Sequence, residues 1–434
     1  MTRLLDGRLR WALIFFTFLI GSLAYLDRVN ISIAAGAIQK EYALSNMQLG
    51  WVFSAFVLGY ALFQAPGGRV ADRLGPRVVI ALAIVWWSVF TFLTAVVPVG
   101  MIGATALLIA VRFSLGIGEA VMFPASNRLV AAWIPSAERG FANGLIFAGV
   151  GAGSAVAPPL ITWILLHWGW RWSFYLRAPV GIVAALLWYW LVRDTPQAHP
   201  WIAKREVETI QAGLPQASAT RASRTTLSWG SILGNRSMMA MTASYFAFGY
   251  VAWIYFTWFF TYLSKVRGLD LKSSSFLSML PFVAMAGCST AGGWIADILT
   301  KRFGKRAGRC GVAGASIGLA AIFIALATQV ESARFASIVL ASGAGALYFS
   351  LSSFWAVTAD IAGASAGSAS GLMNMGCQLG GALTASLTPW IADHFGWTPS
   401  FLVAAGLCAL GAVLWAAVDP NTPIGDKHEV VERV

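Results

Sequence analysis

Four ionisable residues lie inside stretches of this sequence that are otherwise apolar. Asp27 and Arg28 fall within FFTFLIGSLAYLDRVNISIAAGAI, and Arg112 and Glu119 within ALLIAVRFSLGIGEAVMFPA. A charged side chain in hydrocarbon costs about 2.5–3.5 kcal/mol or more, so those that persist line a polar path or face a bundle interior. The planar fork of arginine holds a carboxylate by two parallel hydrogen bonds, which suits capture of an organic acid. Burial and a neighbouring arginine pull a carboxylate's proton affinity in opposite directions. A carboxylate whose arginine is taken by an incoming anion would therefore load a proton. The alternative is a structural buried ion pair. Arg112 and Glu119 are two helical turns apart and share a face, which leaves room for a partner from the first stretch. Asp27 is the expected partner of Arg112.

The elements that must carry these residues follow from composition. The 434 residues are 58% hydrophobic and 11% charged, where a soluble domain carries about a quarter charged residues. Apolar runs near 20 residues recur along the whole chain, each long enough to cross about 30 Å of hydrocarbon. Twelve spans are predicted, at 11–37, 48–70, 77–97, 101–131, 139–166, 171–193, 237–263, 274–299, 309–329, 333–360, 366–392 and 397–418. The first has no small-residue cleavage site behind it and reads as a retained span. The polar stretch 194–236 divides the spans six and six. The predicted fold is an all-α membrane protein of twelve transmembrane helices in two pseudo-symmetric six-helix halves. The N-terminal bundle is set within 1–193, a cytoplasmic middle loop at 194–236 and the C-terminal bundle within 237–434.

The net charge of +12 is distributed in alternate loops, the positive-inside pattern rather than a nucleic-acid surface. One side holds Arg3, Arg8, Arg10, Arg69, Arg73, Arg77, Arg139, Arg193, Lys204, Arg205, Arg221, Arg224, Arg236, Lys301, Arg302, Lys305, Arg306 and Arg309. The other holds Lys40, Arg171, Lys265, Arg267, Lys272 and Arg334. Both termini and the middle loop are thus expected in the cytoplasm. Cys288, Cys310, Cys377 and Cys408 show no CxxC spacing, so neither a metal site nor a disulfide framework is expected. His167, His199, His394 and His428 stand at loops or span ends, and HExxH and GxSxG are absent, which argues against an enzyme.

The halves repeat. GGRVADRLGPR (67–77) follows span two and GGWIADILTKRFGKR (292–306) follows span eight. The first resembles the loop pattern G-x-x-x-D-R-x-G-x-R of the major facilitator superfamily, carried by Gly68, Asp72, Arg73, Gly75 and Arg77, with Pro76 where a second basic residue is usual. The resemblance implies a cytoplasmic gate at these residues and at Asp297, with the carboxylate at a helix N-terminus. YLDRVNISIAA (25–35), RFSLGIGEAVMFPASNRLVAAWIP (112–135) and RDTPQAHPWIAKREVETI (193–210) are similar to the anion:cation symporter branch, and most of all to bacterial galactonate-type carriers. That likeness implies proton uptake by Asp27 and Glu119, receipt of the substrate carboxylate by Arg28, and contact of Arg112 with substrate or a carboxylate. It implies substrate contacts from Tyr60, Asn374 and Ser353.

Residue spacing adds Gln64, one turn from Tyr60 on the same face, Asn30, one turn beyond Asp27, and Gln378, polar within an apolar helix. For each polar residue, interhelical hydrogen bonding is the other reading. Phe354 followed by Trp355, and Val150 in span five, depart from the galactonate-type pattern and favour a less hydroxylated anion. Arg128 is expected to snorkel to the interface, GVGAGSAVAPPL (149–160) to serve helix packing, and HPWIAKREVETI to form an amphipathic surface helix with a structural His199. Tyr245, Trp253, Tyr255 and Trp258 read as packing or interface residues, with one or two free to line a cavity.

The expected function is secondary transport at a bacterial inner membrane. A monomer would import a small organic anion with protons by alternating access, without a cofactor or a nucleic-acid partner. The anion is expected to be a sugar acid such as a hexonate, hexuronate or aldarate. The alternatives are a phthalate- or tartrate-like acid, or proton-coupled efflux.

Overall fold

The structure, a computed structural model, describes residues 8–214, 226–259, 262–269 and 271–425. Arg3, Arg221, Arg224 and His428 lie outside the described residues. The first six crossings are α1 (Leu9–Glu41), α2 (Asn46–Leu74), α3 (Pro76–Val96), α4 (Ala104–Ala120) with α5 (Met122–Trp133), α6 (Arg139–Trp168), and α7 (Trp170–Tyr175) with α8 (Arg177–Leu191). Short α9 (Lys204–Ala212) and α10 (Trp229–Leu233) come next. The second six are α11 (Arg236–Thr257), α12 (Leu271–Lys305), α13 (Val312–Ala327), α14 (Ala333–Phe349) with α15 (Leu351–Ala362), α16 (Ala366–Phe395) and α17 (Trp397–Leu414). Among the described residues, nine helical runs are long and apolar enough to cross a membrane, and two of them, Phe276–Ala327 and Ala333–Phe395, each hold two crossings. Those runs reverse at Gly304 (φ 83°) and Gly363 (φ 50°). With α11, the crossings number twelve.

Three spans are broken where the sequence reads as continuous helix. Pro124 has no N–H for the carbonyl of Ala120, and Pro179 none for that of Tyr175, so the breaks fall at Val121 and Leu176. The third break, at Ser350, has no proline; there the Ser350 hydroxyl donates to the Leu347 carbonyl at 2.6 Å. The break at Leu176 starts α8 on Arg177.

A second repeat supports the twofold relation. His-x-Gly-Trp-x-x-Ser-Phe occurs at 167–174 and again at 394–401. Gly169 (φ 83°) and Gly396 (φ 94°) both adopt the left-handed backbone that glycine tolerates without strain. In each copy the histidine Nδ1 meets the carbonyl four residues back, Trp163 or Trp390, at 2.8 Å.

The halves meet along α2 against α16 and α6 against α12. At each seam two glycines face each other: a Cβ on Gly68 would collide with the Gly367 carbonyl, and one on Gly293 with that of Gly140. In GVGAGSAVAPPL, Gly149 and Gly153 sit against Phe18 and Ser22 of α1, so this stretch packs helices as its small residues suggest. The four cysteines are free thiols.

The face carrying the described termini is closed by the middle segment. Glu206 on α9 accepts the N–H groups of Leu9 (3.3 Å) and Arg10 (3.1 Å) and so caps α1. Ile210 is buried on the same amphipathic helix. His199 is structural. Its Nδ1 accepts the Trp201 N–H (3.2 Å) and its Nε2 meets the Leu191 carbonyl (2.9 Å), while Trp133 packs edge-on to the ring. Burial lowers its pKa below the ordinary histidine value.

Candidate functional site

Arg28 lies midway along α1 and reaches Glu119 in the last turn of α4, its Nε donating to Oε2 at 2.8 Å. Its guanidinium lies over the ring of Tyr60, 3.9 Å from the centroid, with Tyr25 at 4.6 Å and Phe56 at 5.3 Å. Such a cage favours a cation once water is excluded. Glu119 is 1% exposed and its Oε1 has no hydrogen-bond partner.

Arg112 stands two turns before Glu119 and is 2% exposed. Its guanidinium is 4.9 Å from the Phe56 ring, so Arg28 and Arg112 flank one aromatic side chain. Its Nε is buried without an acceptor. Among the described residues, Arg112 has no carboxylate within salt-bridge distance.

The expected Asp27–Arg112 pair does not form. Asp27 is paired instead with Arg177, through Oδ1 and Nη2, and Nη1 of Arg177 donates to the Leu26 carbonyl at 2.8 Å. Helix geometry explains the exchange. The side chains of successive α1 residues, Asp27 and Arg28, diverge by about 100°; Arg28 therefore faces α4 and Asp27 faces α8. Arg177 was in plain view as an ionisable residue within predicted span six, but a lone arginine a short way into a span reads as a snorkelling side chain.

The polar candidates divide. Asn30 accepts the Ser173 hydroxyl (2.7 Å), which ties it to α7 and leaves only its Nδ2 free. Gln64 on α2 accepts from Asn374 Nδ2 on α16 (2.9 Å), a hydrogen bond between the halves. Gln64 Nε2, Gln378 Oε1 and Ser353 Oγ are buried and unpartnered. Unsatisfied buried polar groups cost about 1–3 kcal/mol each and call for water or a ligand. Tyr60 is buried as the lid on Arg28.

An aromatic layer joins the halves beside this cluster. Tyr25 meets Phe123 (6.2 Å), Phe123 stacks on Phe147 (4.8 Å), and Phe147 meets Trp355 (4.9 Å). Trp355 Nε1 donates to the Tyr245 hydroxyl (3.1 Å), and Tyr245 packs on Phe354 (4.6 Å). Of the span-seven aromatics, Tyr245 belongs to this layer, whereas Tyr255 donates to the Leu340 carbonyl and serves packing. Val150 is buried in the same core cluster.

At the terminal face, Asp72 accepts the N–H groups of Gly367 (2.9 Å) and Ser368 (2.7 Å) and the Ser368 hydroxyl (2.5 Å). Asp297 accepts those of Gly140 (3.0 Å) and Phe141 (2.6 Å) and pairs with Arg309 (2.7 Å). Arg128 does not snorkel; its Nε is 3.9 Å from Asp72. Arg139–Asp360 (2.5 Å), Ser136–Asp360 (2.7 Å) and Asn127–Thr358 (3.0 Å) add links that the motif did not indicate. Two expected gate residues do not span the halves. Arg77 donates to the Tyr189 carbonyl and its backbone N–H to Asp194, both within its own half, and Arg73 is exposed without a bonded partner among the described residues. Gly75 (φ 83°) makes the turn that sets this loop against Asp194.

The sequence matches the Major Facilitator Superfamily over residues 17–385 and again over 299–432. The chain belongs to this family. A probable sulfoacetate transporter, SauU, of Cupriavidus necator is 34% identical, over 95% of this chain and 94% of that protein. The D-galactonate transporter of Escherichia coli is 28% identical, over 94% and 95%. The proton:xylose symporter XylE, solved with 6-bromo-6-deoxy-D-glucose bound, superposes with a TM-score of 0.76 at 17% identity, covering 98% of this chain and 99% of XylE, and so shares the fold. The chain is therefore a multi-pass membrane transporter of the Major Facilitator Superfamily, not an enzyme.

Proposed function

We propose that the protein imports a small organic anion in symport with protons across a bacterial inner membrane, as a monomer with both termini in the cytoplasm. The observation that carries this reading is the Arg28–Glu119 ion pair beside Arg112, a second buried guanidinium without an acid. The anion first meets Arg112. Its acid group then competes with Glu119 for Arg28. Glu119, displaced from its arginine, binds a proton; the substrate now occupies the charge site and the carboxylate has become neutral.

The rest of the cycle is alternating access. Asp72 and Asp297 hold the terminal face closed, and the positive-inside charge pattern supports a cytoplasmic position for that face. The substrate therefore enters from the opposite face. Helix-capping hydrogen bonds at the gate must break and reform in each cycle, and the paired glycines let the helices slide. Gln64, Asn374, Gln378 and Ser353 offer polar atoms for hydroxyl groups, which favours a sugar acid. Two of the relatives named above are a probable sulfoacetate transporter and a D-galactonate transporter; sulfoacetate is a sulfonated acid and galactonate a sugar acid. Two arginines disfavour cationic drugs and hence the efflux reading.

The test is uptake into proteoliposomes of labelled galactonate and sulfoacetate. An inward proton gradient should accelerate accumulation of at least one of them, and Arg28→Ala should abolish it. Accumulation driven only by an outward proton gradient would replace symport with efflux.

A further inference from the structure

We propose that Arg177 is a positioning residue that removes Asp27 from the proton cycle, so that Glu119 alone carries the proton and one proton accompanies each anion. The proposal rests on the symport reading for its stoichiometry, but the pairing itself does not depend on which anion is carried.

Three observations support it. First, both members of the pair are buried, Arg177 at 7% and Asp27 at 5% exposure, and among the described residues Arg177 is the one cation within salt-bridge distance of Asp27. Second, the pair lies within one half. Arg177 is anchored twice to α1, through Asp27 and the Leu26 carbonyl, and it begins a helix whose start is fixed by Pro179. Rocking of the halves does not by itself separate these groups. The Arg28–Glu119 pair differs, because its arginine is the one caged by Tyr25, Tyr60 and Phe56 beside the unpaired Arg112.

The third observation is the charge balance. Asp27 and Glu119 together would neutralise Arg28 and Arg112. With Asp27 committed to Arg177, Arg28 and Arg112 face Glu119 alone, and the cluster keeps one positive charge in excess. This excess is located at Arg112, where the structure leaves a buried Nε without an acceptor. The titratable and charged groups around the cluster include Tyr25, Asp27 and Arg28 on α1, Tyr60 on α2, Arg112 and Glu119 on α4, Arg177 on α8 and Cys377 on α16. Of these, Glu119 is the acid whose partner is exchangeable.

The experiment is infrared difference spectroscopy of the purified full chain during a pH titration, following the C=O stretch of protonated carboxyl groups. The expected band is lost in Glu119→Gln and kept in Asp27→Asn. In Arg177→Gln a second band should appear and vanish again in Asp27→Asn/Arg177→Gln; this double variant removes the pair together and guards against misfolding of the single one. A band lost in Asp27→Asn, or absent from the unmodified protein, overturns the proposal. In proteoliposomes, the accumulation ratio of galactonate or sulfoacetate should rise tenfold per unit of pH gradient at zero membrane potential. A hundredfold rise means two protons and also overturns it. If the bands behave as expected and neither anion is driven by protons, the assignment of Arg177 stands and the symport reading falls.

Discussion

Asp72 and Asp297 occupy equivalent positions in the two halves, and each accepts hydrogen bonds from the first turn of a helix in the opposite half. Asp72 receives the N–H groups of residues 367 and 368 in α16, and Asp297 those of residues 140 and 141 in α6. The first N–H groups of a helix have no partner within it, and its dipole favours an anion there. The terminal face is thus held by two symmetry-related caps, each reinforced by an arginine, Arg128 or Arg309.

Losing a cap costs about 0.5–2 kcal/mol. Asp72→Ala and Asp297→Ala should each shift the protein toward the form open at this face by roughly 2- to 30-fold. Spin-label distances between the terminal ends of α2 and α16, and of α6 and α12, would report the shift. Gly68→Ala should act in the same direction through a steric clash with the Gly367 carbonyl. Unchanged distance distributions would show that the caps do not set the equilibrium.

Arg28→Lys keeps the charge but loses the planar fork that would hold the acid group of the anion. A hydrogen bond to a charged group contributes about 1.5–3 kcal/mol, so anion affinity should fall on the order of 10- to 100-fold. Titration calorimetry with galactonate or sulfoacetate, whichever binds the unmodified protein, measures this. An unaltered affinity would remove Arg28 from the binding site.

The Gln64–Asn374 bond crosses between the halves, so its loss has two separable effects. Asn374→Ala leaves a buried Gln64 oxygen unpaired and should destabilise by about 1–3 kcal/mol, whereas Gln64→Leu/Asn374→Leu should be closer to neutral. Thermal unfolding distinguishes these variants. If the pair also contacts substrate hydroxyls, both variants should weaken galactonate binding more than sulfoacetate binding.

His199 gives a pH signature away from the transport site. Burial lowers its pKa, so the undocked segment binds a proton more readily than the docked one. Docking of residues 194–214 is then fully favourable above the free histidine value, about 6.5, and weakens as the pH falls through the lowered one. Protection of the Trp201 N–H, taken relative to its intrinsic exchange rate at each pH, should fall on acidification, and His199→Gln should abolish that dependence.

Much of this was legible in the sequence because membranes make polar residues conspicuous. Arg28 and Glu119 stood out within apolar runs and do pair, and the repeated GG-x-x-x-D marked both caps. Partner choice was not legible. Asp27 and Arg28 are adjacent, but a helix turns them toward different neighbours, and the neighbour of Asp27 comes from span six, some 150 positions later. The breaks at Val121 and Leu176 were signalled by Pro124 and Pro179, and the His-x-Gly-Trp-x-x-Ser-Phe repeat was present to be found. Arg77 shows the opposite limit: its place in the family pattern suggests a gate, while the turn at Gly75 directs it to Tyr189 and Asp194 in its own half.

The most direct test of proton-coupled anion uptake compares the unmodified protein with Glu119→Gln in proteoliposomes under an inward proton gradient. The unmodified protein should concentrate galactonate or sulfoacetate above the outside level and lose that gradient on addition of a protonophore. Glu119→Gln should still exchange the anion across the membrane but never concentrate it. Equal, protonophore-sensitive accumulation by both proteins would contradict the central role given to Glu119.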